Sequence, residues 1–285
     1  MKKKISAILF GLLFLVGFGI LVYPTVSNQW NTYRQSQLIS NYQSVVQDMT
    51  PEDFTQEWEK AEAFNATITQ NNLYSDVFGE STTDLQNTEY WKILNEAGDG
   101  VMGYLSIPKI NIKLAIYHGT ADDVLQTGVG HLNGTKLPIG GESTHCVVAA
   151  HRGLPSAKLF TDIDQLRNGD KFYIHVLDQV LAYEVDQILT VLPEQTESLG
   201  ITDGDDYVTL VTCTPYAVNT HRLLVRGHRV PMKAAKAVQK TEKKVTGITN
   251  PTLPMLALCV VIGIVIAVIL VAGINSVQNK KRRRK

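Results

Sequence analysis

The chain has 285 residues, 44% hydrophobic and 19% charged, enough for one sizeable domain with appendages. Its 27 basic and 27 acidic side chains balance, but nine basic ones sit at the ends: Lys2, Lys3, Lys4, Lys280, Lys281, Arg282, Arg283, Arg284 and Lys285. The interior therefore holds 18 basic residues against 27 acidic ones, which speaks against a nucleic-acid binder.

Residues 5–22 (ISAILFGLLFLVGFGILV) carry no charge. About 20 apolar residues cross a hydrocarbon core of ~30 Å. A basic stretch precedes the segment, so a cleaved signal peptide is the rival reading, although YPTVSNQ offers no convincing small-x-small site. Residues 1–24 are read as a signal anchor. Residues 25–70 form a helical extension. Trp30, Tyr33, Leu38, Tyr42 and Val45 recur at roughly helical spacing. Thr50, Pro51, Glu52 and Asp53 then give an N-cap, a first-turn proline and an acid in the first turn. Phe54, Trp58, Ala61 and Phe64 continue on one face, as expected of helices packed on a main domain.

Residues 71–99 are polar and turn-rich, a connection long enough to serve as a lid or linker. Residues 100–231 are β in character. Two short runs flank Pro108, and further runs follow at 145–153, 171–177, 181–192, 207–212 and 222–227. Six or more short strands with Gly, Pro and Asp turns indicate a closed barrel or a sandwich. Short helices are expected at Asp122–Leu125 and near Ala157–Leu166. Residues 232–252 are a lysine-rich linker. Residues 253–274 contain the uncharged run MLALCVVIGIVIAVILVAGI, a second span, and 275–285 form a basic tail. Basic clusters mark the cytoplasmic side, so both termini are expected inside and the domain outside. TLPMLALCVV before KKRRRK has the outline of a sorting signal, but LPMLA lacks a Thr-Gly bond and reads as a plain anchor.

With Cys259 in the second span, Cys146 and Cys213 remain for the domain. A disulfide between them is open, but a disulfide scaffold would carry more cysteines. A free thiol outside the cell is either a small buried hydrophobe or a nucleophile. Cys213 ends one strand run and Arg222 opens the next, so Arg222 is either a surface arginine paired with an acid or a permanent cation beside the thiol. The seven histidines are His118, His131, His145, His151, His175, His221 and His228. His175 lies within a strand, and His118, His131 and His228 show no evident partner. His151, at the exit of VVAA, is the first candidate base and His221 the second. Asp122-Asp123 and Asp205-Asp206 read as solvated turn residues, and no metal or cofactor motif is evident.

TLVTC (209–213), Arg222 nine residues on, and AAHRGLPSAKLFTDIDQLRNGD (149–170) together resemble the sortases, cysteine transpeptidases of Gram-positive surfaces. TCTPYAVNTHRLLVRG (212–227) is most similar to the pilin-polymerising class C enzymes. The resemblance covers residues 103–230 and, more loosely, the two-span layout. It implies a mainly β fold: an eight-stranded sortase-type barrel with short helices, a helical N-terminal extension and two flanking transmembrane helices. It implies Cys213 as nucleophile, His151 as acid and base, and Arg222 as the cation that holds the signal and the oxyanion. It also implies a lid, matched by Asp76 and Phe78, with Val77 where the family usually has proline. Ala217 stands where these enzymes often have glycine. The expected reaction cleaves the Thr-Gly bond of an LPXTG-like sorting signal and joins it to a pilin lysine, at the bilayer surface and without a cofactor. A sortase attaching surface proteins to peptidoglycan is the near alternative, and an inactive membrane-bound scaffold or adhesin the remote one.

Overall fold

The computed structural model describes residues 2–69, 76, 78, 85–232, 263 and 272. Apart from positions 263 and 272, the expected second span and the basic tail lie outside the described residues, as does most of the linker before them.

Helix α1 (Lys2–Asp48) runs unbroken through Pro24. It is the one helix among the described residues long and apolar enough to cross a membrane. Its apolar first half fits a membrane anchor. A second helix, α2 (Pro51–Thr67), begins at a complete capping box: the Thr50 hydroxyl accepts from the Asp53 N–H, and the Asp53 carboxylate accepts from the Thr50 N–H. A short helix, α3 (Glu89–Lys92), precedes the barrel.

The unit spanning Arg34–Gly247 holds the barrel. Its strands are β1 (Val101–Ile107), β2 (Ile112–His118), β3 (Val129–His131), β4 (Thr144–Ala149), β5 (Lys171–Val176), β6 (Gln179–Val191), β7 (Asp206–Thr214) and β8 (His221–Val230). They close in the order β1-β2-β3-β4-β7-β8-β6-β5, which leaves no free edge. Six contacts between neighbours are antiparallel; β2–β3 and β4–β7 are parallel. Helix α4 (Asp122–Thr127) makes the crossover between β2 and β3. Leu105, Ile116, Val148, Phe172, Ile174, Leu210 and Val225 fill the core, with Phe172 stacked on Tyr183.

The helical extension packs on the barrel through a stripe one step from the expected one. Gln35, Ile39 and Tyr42 face inward and are buried, whereas Trp30 is exposed. Gln35 occupies a core position because its side chain satisfies backbone groups: it accepts from the Ala115 N–H (2.8 Å) and donates to the Thr127 carbonyl (2.8 Å). The Tyr42 hydroxyl donates to the Met102 carbonyl and accepts from the Leu177 N–H. On α2, Phe54, Trp58, Ala61 and Phe64 do pack on the core.

Two short elements differ from expectation. β3 has only three residues, too few for an alternating pattern to show. Residues 157–166 form turns with one 3-10 turn at Ile163–Gln165 rather than a helix. Leu159 takes φ 38°, outside the helical region, and the segment is held instead by burial of Ala157, Leu159, Phe160, Ile163 and Leu166.

Candidate active site

Cys213 and Arg222 are direct partners in the antiparallel register of β7 and β8. Both are 9% exposed. His221 pairs instead with Thr214 and hydrogen-bonds Thr220, so alternation turns it away from the side of Arg222.

His151 reaches the same rim through parallel pairing. β4 and β7 run together from Thr144 with Asp206 to Ala149 with Val211. The alignment continues beyond the ladder: the Ala150 N–H donates to the Val211 carbonyl (3.2 Å) and the Thr212 hydroxyl to the Ala150 carbonyl (2.8 Å). One residue further along each strand lie His151 and Cys213. The Phe160 N–H donates to the His151 carbonyl (3.1 Å), which ties the loop after β4 to the buried Phe160.

Asp76 and Phe78 sit over this rim. Asp76 takes both ends of the Arg222 fork: Nε donates to Oδ1 (3.0 Å) and Nη2 to Oδ2 (2.6 Å). The Phe78 N–H also donates to Asp76 Oδ1, at 3.3 Å. The Phe78 ring stacks on His151 with centroids 5.7 Å apart, and Arg222 Cζ lies 5.1 Å from its centre. It also packs against the apolar cluster containing Leu125, Val211 and Leu224. Val77 lies outside the described residues.

The electrostatics follow from this packing. Burial pushes the Cys213 thiol up, the Arg222 charge pulls it down, and Asp76 pushes it up again. Burial opposes the Arg222 charge, but the Asp76 hydrogen bonds, together with the charge interactions with Cys213 and Asp76, outweigh it, and the guanidinium is held more firmly protonated. Asp76 therefore occupies the donor fork and offsets the cation that would favour a thiolate.

Three other histidines have partners the sequence did not reveal. Burial pushes His131 and His145 down to about 4 and lowers His118. The His131 ring bonds the Tyr90 hydroxyl (2.7 Å) and the Lys136 carbonyl (2.8 Å). His145 bonds the Gly200 carbonyl and the Thr209 hydroxyl, and His118 meets the carbonyls of Gly100 and Ile93. His131 and His145 each meet one carbonyl and one hydroxyl, which suits a neutral ring, and all three histidines tie backbone segments together. His175 stacks face to face on Tyr104, with centroids 4.1 Å apart.

The Sortase domain family matches residues 105–230. Sortase C-1 from Streptococcus pneumoniae is 44% identical, with a TM-score of 0.61 over 70% of this chain and 99% of that one. A further S. pneumoniae sortase C structure, which bears on catalysis and pilin substrate specificity, is 46% identical, with a TM-score of 0.64 over 70% and 98%. Sortase C1 from Streptococcus agalactiae is 47% identical, with a TM-score of 0.61 over 69% and 100%. The chain belongs to the sortase family. Sortase A of S. agalactiae serotype III is 33% identical over 129 residues, 44% of this chain and 51% of that protein. The chain thus spans about half the length of that curated relative, and 63% of Sortase A from Bacillus anthracis.

Within this sortase, two features of the site, and one at the far end of β7, were not foreseen. Asp122 is solvated as expected, its side chain 77% exposed, but its Oδ1 also lies 3.5 Å from His151 Nε2. Arg152, next to His151, is ion-paired with Asp164 and donates to the Thr214 hydroxyl (3.4 Å), so it joins the loops on either side of the rim. Asp206 is not a free turn residue; it accepts from the Gly141 N–H and the Tyr183 hydroxyl. Gly153 carries its own constraint: φ is +76°, and a Cβ there would lie 2.9 Å from the Tyr216 ring.

Proposed function

We propose that this sortase is a class C, pilin-polymerising transpeptidase with Cys213, His151 and Arg222 as its catalytic residues. The observation that carries the reading is the convergence of thiol, guanidinium and imidazole at one barrel rim, beneath Asp76 and Phe78.

The chemistry follows from the groups present. The Cys213 thiolate attacks the threonine carbonyl of an LPXTG-like signal. Arg222 donors hold the signal and receive the charge that develops on the carbonyl oxygen; one such donor contributes about 2.7–4 kcal/mol. The C–N bond breaks, His151 gives a proton to the leaving glycine amine, and a thioester remains on Cys213. A lysine amine of a second pilin then attacks the thioester. Its proton passes to His151, the C–S bond breaks, and an isopeptide bond forms as the thiolate returns. The apolar start of α1 holds the enzyme at the membrane where its substrates emerge.

Asp76 and Phe78 act as a lid in this reading. The Arg222 fork cannot take a substrate while Asp76 fills it, and Phe78 covers the His151 ring. An ion pair and a cation–π contact of this kind contribute about 1 kcal/mol each, so a sorting signal can displace them. This segment favours pilus assembly over attachment to peptidoglycan.

The test is mass spectrometry of the enzyme incubated with LPXTG-like peptides, followed by incubation with pilin subunits. A thioester on Cys213 and a ladder of linked pilins are expected. Attachment to peptidoglycan stem peptides without a ladder would favour the wall-anchoring reading. Absence of any thioester would remove both.

A further inference from the structure

Two side chains meet the His151 ring from different directions: Phe78, stacked on its face, and Asp122, facing Nε2. In the lid reading Phe78 departs before chemistry. Asp122 does not, because it opens α4, and Leu125 of that helix is buried in the apolar cluster with Val211 and Leu224. The two oxygens of Asp122 have different partners. Oδ2 accepts from Gln126 Nε2 (2.6 Å), while Oδ1 lies 3.5 Å from His151 Nε2. Asp123, on the same turn, faces its own helix instead: its Oδ1 accepts from the Val124 N–H (2.9 Å).

We infer that Asp122 is a positioning residue for the proposed reaction, holding the His151 ring with Nε2–H toward its carboxylate so that Nδ1 handles the transferred proton. An ionised carboxylate only accepts hydrogen bonds, so the nitrogen facing it carries the hydrogen. A base oriented by a third group recurs among enzymes with activated nucleophiles. The inference rests on the sortase reading for its kinetic consequence, but the ring contact can be tested without it.

Gln126 makes the test sharp. In Asp122→Asn, a Gln126 that keeps the Nε2 donor it presents in the parent holds the oxygen of the new amide and leaves its NH2 facing His151. Nε2 must then accept, and the ring proton moves to Nδ1, the wrong tautomer for the proposed acid and base. In Asp122→Asn with Gln126→Ala, the amide is free to turn its oxygen toward the ring, and the Nε2–H form returns.

The experiment is 15N NMR of the histidine-labelled full chain, with the rate of Cys213 acylation by an LPXTG-like peptide measured in parallel. Asp122→Asn is expected to switch the His151 tautomer and slow acylation about fivefold, the scale of an exposed ion pair. The double variant is expected to restore both, and Asp123→Asn to change neither. The same tautomer and rate in Asp122→Asn as in the parent would overturn the inference, as would an equal effect of Asp123→Asn. A parent that forms no thioester yet shows the tautomer switch would sink the proposed transpeptidase reaction at Cys213 while leaving the Asp122–His151 contact standing.

Discussion

Cys146 and Cys213 lie on β4 and β7, adjacent parallel strands of one barrel; both are buried, but only Cys213 has a cation beside it. Cys146 is 2% exposed in the sealed core, paired across the ladder with Val208. Burial pushes its thiol well above the usual range, and the nearby Asp206 adds to that shift. Cys213 lies near the end of its strand, where Arg222 supplies the opposing pull. The two thiols share a residue type and a sheet. What separates them is the distance along the strand to the rim and the cation waiting there.

The largest expected effect tests that contrast directly. Cys213→Ala should abolish thioester formation and labelling by a thiol alkylator, with turnover falling about 10³-fold or more. Cys146→Ala should leave labelling and turnover as they are and lower unfolding stability by about 1 kcal/mol. Mapping of the alkylated peptide checks both. Labelling of Cys146 in the folded protein would break the comparison.

Next comes the cation. Arg222→Ala should lower kcat/KM about 10²–10³-fold, the loss of one oxyanion donor. Arg222→Lys should be nearly as harmful, because a point charge cannot reproduce two donors held in a plane. Near-normal turnover of the lysine variant with LPXTG-like peptide would reduce the role of Arg222 to charge alone.

Asp76 and Phe78, the proposed lid, give a smaller effect with a defined sign. Asp76 raises the Cys213 thiol and Arg222 lowers it. In Asp76→Ala the upward push is gone and the downward pull remains, so the midpoint of the alkylation-rate profile should move to lower pH. Each pH unit of that movement is about tenfold in thiolate fraction at neutral pH. Phe78→Ala should also speed labelling, by uncovering the rim. Unchanged rates in both variants would remove the lid.

How much of this was readable beforehand depended on the range of the contact. Cys213 and Arg222 are joined by a short loop, so their adjacency follows from two strand runs and the residues between them. His151 lies some sixty residues upstream, and physics alone left it competing with His221. The resemblance chose it, but the reason lies in the parallel β4–β7 pairing, which has no local mark in the sequence. Polar residues with distant partners were least legible. Gln35 at a buried helix position, His131 against Tyr90 and Asp122 at His151 all have ordinary surface composition and acquire meaning only when the barrel closes. The helix expected near Ala157–Leu166 failed for the converse reason. Its apolar residues are buried, but a turn at Leu159 buries them without helical periodicity.

The smallest expected effect concerns the loop just beyond the thiol. Ala217 takes φ 63° on an exposed turn whose Val218 and Asn219 N–H groups both donate to the Pro215 carbonyl (3.0 Å). An L-residue with a Cβ is strained there by about 1–2 kcal/mol, while glycine is not. Glycine also loses more backbone freedom on folding, by about 0.5–1 kcal/mol. The difference favours Ala217→Gly by about 0.5–1 kcal/mol, or a rise in Tm of about 1–4 °C for a domain of this size. Asn219 provides the internal control. It shares the left-handed conformation, at φ 61°, but asparagine tolerates that region, so Asn219→Gly should gain less. Thermal unfolding of the two variants separates the cases. Equal shifts would mean that the loop, and not the backbone of Ala217, sets the stability beside Cys213. A stabilised Ala217→Gly variant that acylates more slowly would show that the strained turn helps hold Cys213 for attack.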